Sequence, residues 1–135
     1  MNTKDGYALQ YAVKRGFPIA IITGGRTESV GSRFSGLGIT DIYLGASNKV
    51  DDFLHFIDKY NLKPDEVLYM GDDLPDLQVM KRCGVPCCPA DAVEEIKAAS
   101  VYISHLKGGE GCVRDIMEQV LRLQGIWLDG EAFSW

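Results

Sequence analysis

The sequence lacks several features that would assign it to common classes of protein. Its 135 residues contain no apolar run near the ~20 residues of a membrane span, and no signal-peptide pattern. Positive charge is not in excess, because the formal net charge is -5, whereas a nucleic-acid-binding domain normally has a basic face. Repeats, linkers and low-complexity segments are also absent. We therefore expect neither a membrane nor a nucleic acid as a partner.

Cysteine is scarce and its spacing does not suit zinc. The four cysteines form no paired C-x-x-C units, which a structural zinc site would need. Cys87 and Cys88 are adjacent within an apolar stretch, so buried free thiols are the better interpretation of this pair. Free thiols are typical of a reducing compartment, and we expect a cytoplasmic protein. The other two cysteines are Cys83 and Cys112.

What the sequence does contain is the pattern of one folded domain over residues 1–135, with 124–135 as a C-terminal tail. Apolar residues make up 46% of the chain and charged residues 24%, which is typical of a globular protein. Apolar runs bounded by glycine or polar residues predict strands that alternate with helices. This alternation predicts a doubly wound, Rossmann-like α/β fold with a mostly parallel sheet. The predicted strands cover 17–22, 41–45, 67–70, 85–88 and 101–104, and the predicted helices 5–15, 27–36, 47–60, 76–83, 91–99 and 110–123.

Three carboxylates follow the strand predicted over 67–70. Asp72, Asp73 and Asp76 lie within five residues, where they would repel one another unless a cation is present. Magnesium binds few protein carboxylates and keeps waters for a phosphate, so it suits this group. The alternative is a turn in which Asp73 or Asp76 caps the next helix. A cap accounts for one aspartate and leaves two, which favours the metal site.

Two further strand ends contribute polar groups to the same predicted edge of the sheet. Thr23 and Gly24 end the strand predicted over 17–22, where a hydroxyl and free backbone N–H groups suit a phosphate oxygen. A strand-to-helix turn in which Thr23 bonds its own backbone is an equal alternative. Lys49 opens the helix after the next strand and could hold a phosphate as a point charge. Its alternative is an ordinary solvated lysine.

The last helix is preceded by a glycine-rich turn over 107–111, followed by Arg114. This segment is either a flexible turn with a solvent-facing arginine or a contact for an anionic sugar. Neither His55 nor His105 has a nearby nucleophile, so we assign neither a catalytic role. The aromatic and apolar residues of 124–135 predict a tail that packs on a neighbour.

Taken together, these residues resemble the haloacid dehalogenase-like superfamily, and within it the small capless phosphatases of 3-deoxy-D-manno-octulosonate 8-phosphate (KDO 8-phosphate). Thr23 is similar to the second motif of the superfamily, Lys49 to the third, and the three aspartates to the fourth. The likeness covers nearly the whole chain and is specific in combination. The segments that carry it are 2–6, 21–24, 37–39, 47–49, 71–76, 79–80 and 108–114.

The resemblance implies a magnesium-dependent phosphatase that acts on KDO 8-phosphate in lipopolysaccharide biosynthesis, as a homotetramer. It implies that Asp72 and Asp76 bind Mg²⁺, or that Asp76, with Asp73, supports the metal and its water. Catalytic roles are implied for Thr23, Lys49 and Asp73. Substrate-binding roles are implied for Thr23, Gly24, Arg33, Lys49 and Arg114.

The sequence departs from this family at one motif. In the family a D-x-D-G motif on the first strand supplies the aspartate that attacks phosphorus and the general acid and base. No D-x-D precedes Thr23, and the one acid upstream is Asp5. We expect a natural protein that contains the missing strand, placed between the strands that end at Thr23 and Met70. The alternatives are a non-catalytic sugar-phosphate-binding subunit and a phosphatase for another sugar-acid phosphate. Gly25 and Gly36 favour KDO 8-phosphate over the nine-carbon KDN 9-phosphate.

Overall fold

Helices separate most of the strands in the described part of the chain. The computed structural model describes residues 3–24 and 34–123. The predicted helix over 27–36 lies mostly outside these residues, and the tail 124–135 lies wholly outside them. Single 3-10 turns, Pro64–Glu66 and Leu74–Asp76, precede β3 and α3. In chain order the elements are α1 (Thr3–Lys14), β1 (Ala20–Ile22), β2 (Asp41–Tyr43), α2 (Lys49–Lys59), β3 (Leu68–Met70), α3 (Leu77–Met80), β4 (Val85–Cys88), α4 (Glu94–Ala99), β5 (Tyr102–Ile103) and α5 (Cys112–Leu123).

Every strand pair among the described residues is parallel. β1 pairs with β2, so that Ala20 lies opposite Asp41 and Ile22 opposite Tyr43. In a second piece of sheet, β4 lies between β3 and β5. Parallel strands connected by helices confirm the predicted α/β class. The predicted single sheet is in two pieces here, since β1 and β3 do not pair in the described part of the chain.

Helix α2 packs across both pieces of sheet. Its apolar residues recur at helical spacing and face inward. Each buried large apolar side chain contributes roughly 1.5–3 kcal/mol, so this face is a strong link between the two pieces. The buried cluster comprises Val50, Phe53, Phe56, Ile57 and Val79, and the side chains packed on it include Ala20, Ile22, Tyr43, Val67 and Tyr69.

A second cluster forms where α3 and α4 cover β4. It contains Met80, Cys88 and Ile96, and Tyr69 packs against it as well. All four cysteines are free thiols, and Cys87 and Cys88 are buried, which confirms the prediction for this pair. Burial raises the pKa of Cys87 to about 12, so its thiol is unreactive at neutral pH.

The first and last described helices pack against each other. The buried side chains of Tyr11 in α1 and Leu121 in α5 meet in one cluster. Asp5 is buried, and its carboxylate accepts the backbone N–H of Arg114 at 3.0 Å, near the start of α5. Asp5 therefore ties α1 to the amino-terminal turn of α5. Among the described helices, none has the length and apolarity to cross a membrane.

One predicted helix start is wrong. Asp91 and Glu94 predict a capping box for α4. The residue before α4 is instead Val93, whose backbone is extended and whose side chain accepts no hydrogen bond. The Asp91 carboxylate accepts the backbone N–H of Gly108 at 2.8 Å, across 17 residues of sequence. A contact with the glycine-rich turn has replaced the local cap.

A buried carboxylate connects β5 to α5. Asp115 accepts hydrogen bonds from the Tyr102 hydroxyl at 2.7 Å and the Ser104 hydroxyl at 2.8 Å. Burial acts to raise the pKa of Asp115, but the hydroxyl and amide donors around it outweigh burial and hold the pKa below its usual 3.8. A carboxyl group with a lowered pKa stabilises the fold above the pKa of the unfolded state, and that stability is lost as the pH falls through the folded value.

We predict that Asp115→Asn lowers the free energy of unfolding by about 1–2 kcal/mol near neutral pH, because charge-assisted hydrogen bonds are lost. The variant should also lose less stability than the wild type as the pH falls from roughly 5 to roughly 2, because it lacks the carboxyl group whose pKa folding lowers. Urea unfolding across this pH range measures both effects. Asp58→Asn, at an exposed position of α2, is the control and should follow the wild type. Parallel pH curves for wild type and Asp115→Asn would contradict the prediction.

Gly84 allows the chain to enter β4 against the Pro64–Glu66 turn. Its N–H donates to the Pro64 carbonyl at 2.9 Å. A Cβ at this position would lie 2.1 Å from the carbonyl oxygen of Asp65, a contact that no side-chain movement can relieve. Gly16 follows α1 and has a φ of +88°. Unlike at Gly84, a Cβ at Gly16 would contact no atom within 4 Å.

These two glycines make a matched pair for a stability test. Gly84→Ala should destabilise the protein by about 2–4 kcal/mol, because backbone must move. Gly16→Ala should cost about 1–2 kcal/mol, because its left-handed φ is the sole penalty. Urea unfolding of both variants gives the difference. Equal losses would show that the close approach at Gly84 is not what matters there.

Candidate active site at the carboxyl ends of the strands

Predicted site residues from different segments meet at one edge of the sheet. Thr23 and Gly24 follow β1, Lys49 begins α2 after β2, and Asp72 follows β3. The Lys49 ammonium nitrogen lies 2.9 Å from an oxygen of Asp76, a residue 27 positions away. This ion pair joins the ends of β2 and β3, and so connects the two pieces of sheet at their polar edge.

The connection after β2 explains why Lys49 lies there. The Thr23 N–H donates to the Tyr43 carbonyl, and the Ala46 N–H donates to the Thr23 carbonyl, both at 3.0 Å. The chain is thus held beside the end of β1 before α2 starts. Asn48 then caps α2 by accepting the Val50 N–H. Lys49 is therefore the first residue of a capped helix, which fixes its direction.

Gly71 permits the close turn after β3. A Cβ at Gly71 would lie 2.5 Å from the Cβ of Asp76 and 2.7 Å from the sulfur of Met80. Both distances are shorter than any real Cβ contact, so a residue with a side chain would push the turn away from the strand. Without a side chain here, Asp76 folds back against the end of β3.

The Asp76 carboxylate is the centre of the site. One oxygen accepts the Lys49 ammonium at 2.9 Å and the Tyr69 hydroxyl at 2.6 Å. The other accepts the backbone N–H groups of Asp72 at 3.0 Å and Asp73 at 3.3 Å. The residue is 3% exposed. Burial acts to raise the pKa of Asp76, but the hydrogen bonds from Tyr69, Lys49 and the Asp72 backbone outweigh it and lower the pKa, so the group is a carboxylate.

The three aspartates have different surroundings. Asp73 accepts the Leu74 N–H at 2.7 Å and caps the 3-10 turn, so the interpretation of this segment as a turn accounts for one aspartate. Asp72 is exposed. Loss of water around it, and then the nearby charge of Asp76, raise its pKa. The positive charge of Lys49 acts in the opposite direction but offsets these effects only in part.

This chemistry fits Mg²⁺ held mainly by one side chain. Mg²⁺ is commonly bound by one or two carboxylates, with water and phosphate oxygens completing its shell. Asp72 offers such a carboxylate, and a cation there would relieve the repulsion that raises its pKa. Both oxygens of Asp76 already have two donors each, which favours a supporting role over direct ligation. Direct ligation by Asp76 stays a prediction. Within residues 3–24 and 34–123, no three His, Cys, Asp or Glu side chains form a ready-made metal cluster.

Of the two arginines predicted to bind substrate, the structure describes one. Arg33 lies outside the described residues. The Arg114 guanidinium lies over the Tyr7 ring, 5.8 Å from its centroid, and 4.0 Å from a carboxylate oxygen of Glu118. Its contact with a sugar acid stays a prediction. Asp5, the acid upstream of Thr23, is buried at the start of α5 and is not part of the candidate site.

Tyr69 is the site residue that sequence reasoning missed. Burial raises its pKa well above the usual value, and the hydrogen bond to Asp76 adds to this, so the hydroxyl stays protonated and donates. In the sequence, Tyr69 belongs to an apolar strand and suggests a core aromatic. Tyr69 and Asp76 lie in different elements, so their separation of seven residues does not predict a contact, which depends on the turn at Gly71.

The chain matches known proteins over most of its length. The haloacid dehalogenase-like hydrolase family matches residues 6–84. The KDO 8-phosphate phosphatase KdsC of Salmonella typhi is 37% identical over 124 residues, which are 92% of this chain and 66% of the relative. The chain thus spans about two thirds of the length of such relatives.

Solved structures agree with this likeness. The KDO 8-phosphate phosphatase of Yersinia pestis superposes with a TM-score of 0.91 at 33% identity, over 93% of this chain and 68% of that one. The phosphatase of Moraxella catarrhalis, solved with a magnesium ion, a phosphate ion and KDO, gives a TM-score of 0.89 at 33% identity, over 93% and 72%. The chain belongs to the haloacid dehalogenase-like hydrolases and is a homologue of the KDO 8-phosphate phosphatases within that family.

Proposed function

We propose that this protein is a magnesium-dependent phosphatase that hydrolyses KDO 8-phosphate to KDO and phosphate, in the biosynthesis of lipopolysaccharide. The observation that carries the proposal is the Lys49–Asp76 ion pair at the strand ends, with Asp72 beside it. A cation and a partly unbalanced carboxylate at one edge suit a phosphate bound together with a metal ion. The names of the relatives supply the sugar acid.

The proposed roles follow from what each side chain contacts. Lys49 and the Thr23–Gly24 segment bind phosphate oxygens, and Lys49 also neutralises charge there. Asp72 would hold Mg²⁺, which supplies positive charge to the phosphate. Asp73 supports this loop by capping the following turn, and Asp76 orients both the loop and Lys49. Arg33 and Arg114 are proposed to meet the sugar acid.

The group that attacks phosphorus is not assigned to a described carboxylate. Asp5 caps α5, and Asp76 is buried with four donors. Under the proposal the attacking aspartate comes from the D-x-D-G strand that the family resemblance implies. The aspartate oxygen would form a bond to phosphorus as the bond from phosphorus to the sugar oxygen breaks, and the second aspartate of the motif would give that oxygen a proton. Water would later release the phosphate from the aspartate.

Release of phosphate from KDO 8-phosphate with Mg²⁺ tests the function directly. The assay compares the chain as printed with an extended chain in which a D-x-D-G strand precedes it. Two variants of the extended chain replace one aspartate of the motif by asparagine, the first in N-x-D-G and the second in D-x-N-G. We expect Mg²⁺-dependent hydrolysis of KDO 8-phosphate from the extended chain, and loss of it with N-x-D-G. Preference for KDN 9-phosphate would change the substrate assignment. Hydrolysis by the printed chain alone would contradict the assignment of the nucleophile, and binding without hydrolysis by every version would favour a sugar-phosphate-binding subunit.

We predict that Lys49→Met weakens binding of orthophosphate in the presence of Mg²⁺ by about 10- to 100-fold, because one charged contact from a partly buried lysine is lost. Isothermal titration calorimetry gives the dissociation constant without need of turnover. Lys97→Met is the matched control, since Lys97 lies on α4 and its contact with the exposed Glu94 is 3.8 Å long. The control should bind phosphate as the wild type does. Unchanged binding by Lys49→Met would remove this lysine from the site.

A homotetramer in the cytoplasm completes the proposal. Support for the tetramer comes from the family resemblance, and support for the compartment from the four free cysteines. Light scattering after gel filtration measures the oligomeric state, and a monomer would contradict it.

A further inference from the structure

Tyr69 connects the two functional halves of the site through a single carboxylate. Its hydroxyl donates to the same Asp76 oxygen that accepts Lys49. The other oxygen of that carboxylate holds the backbone N–H groups of Asp72 and Asp73. The plane of the carboxylate thus determines where both the anion-binding lysine and the metal-binding loop lie.

The ring of Tyr69 cannot easily move. It packs against both the α2 cluster and the α3–α4 cluster. A hydroxyl on a ring fixed in this way has one position, and at 2.6 Å from Asp76 it makes a short, charge-assisted hydrogen bond. Lys49 is different, since a long side chain with several rotatable bonds adapts to its partner. The tyrosine, and not the lysine, is therefore the rigid donor at this oxygen.

We propose that Tyr69 is a positioning residue, whose hydroxyl fixes the Asp76 carboxylate so that Lys49 and the Asp72–Asp73 backbone are held in the geometry that binds phosphate and Mg²⁺. This inference rests on the proposed function for its ligands, but its geometric part does not depend on it. Without the hydroxyl, Asp76 rotates towards Lys49, which becomes less available to an anion. The same rotation weakens the two N–H contacts that hold the loop.

The variant Tyr69→Phe removes one oxygen and keeps the ring in both clusters. The protein offers a matched control in Tyr102→Phe, because the Tyr102 hydroxyl also donates to a buried carboxylate, that of Asp115, at 2.7 Å. Both variants lose the same kind of hydrogen bond, so loss of stability alone does not distinguish them. Effects confined to Tyr69→Phe report on the site.

Amide hydrogen exchange followed by NMR tests the geometry without any ligand. In Tyr69→Phe, the amides of Asp72 and Asp73 should exchange about tenfold faster than in the wild type, because their acceptor is no longer fixed. The Gly71 amide, which donates to the Cys87 carbonyl at 3.1 Å, should not change. Neither Asp72 nor Asp73 should respond to Tyr102→Phe. Unchanged exchange in Tyr69→Phe overturns the proposal.

Calorimetry then tests the consequence for binding. Tyr69→Phe should bind Mg²⁺ and orthophosphate each about tenfold more weakly, whereas Tyr102→Phe should bind both as the wild type does. In a double-mutant cycle, Tyr69→Phe should add little to the loss of phosphate binding in Lys49→Met, because it acts through that lysine. Additive losses, or wild-type affinities in Tyr69→Phe, contradict the positioning role. A wild type that binds neither ligand refutes the proposed function, and the exchange result still decides the role of Tyr69.

Discussion

The buried Asp76 carboxylate is the interaction on which the organisation of this protein depends. An ionised group that is 3% exposed is stable in a fold only when donors replace the water it has lost. Here the donors come from three places: α2 through Lys49, β3 through Tyr69, and the loop after β3 through its own backbone. One carboxylate therefore connects two pieces of sheet that share no backbone pairing in the described residues.

The apolar contacts beneath this carboxylate make the same connection. The inward face of α2 covers side chains of both sheet pieces, and its first residue is Lys49. The helix that provides the apolar link thus also places the Lys49 ammonium group at the polar edge of the sheet. Hydrophobic burial is not directional, whereas the ion pair and its neighbouring hydrogen bonds are. Packing holds the pieces together, and Asp76 determines how their polar ends are aligned.

Local features of the site could be predicted from the sequence, whereas their division of roles could not. Strand ends are marked by apolar runs, so the positions of Thr23, Lys49 and Asp72 at one edge follow from the α/β pattern. When several aspartates lie close together in the sequence, the sequence does not indicate which of them will be buried. Asp73 and Asp76 differ because Gly71 lets one of them fold back on the strand. That contact is a property of three-dimensional packing.

The fold shows the same division. The bounds of β4 and the free, buried Cys87 and Cys88 agree with the prediction, because they depend on a local apolar run. The cap predicted at Asp91 is wrong, because that carboxylate accepts a backbone N–H that is distant in sequence and not one of the local helix. Tyr69 was missed for a related reason, since its polar tip finds its partner only once the turn has formed.

The distribution of donors also bears on the cation site proposed in the acidic loop. Four donors stabilise Asp76 as an anion, and this negative charge cannot be removed by protonation near neutral pH, since the pKa of Asp76 is lowered. Asp72 lies next to that fixed charge, with its own pKa raised by loss of water and by Asp76. A bound proton would relieve the repulsion by neutralising one charge, whereas Mg²⁺ would relieve it and also leave positive charge for an anionic ligand. The buried carboxylate that orders the loop therefore also supports the metal-binding role proposed for the exposed carboxylate beside it.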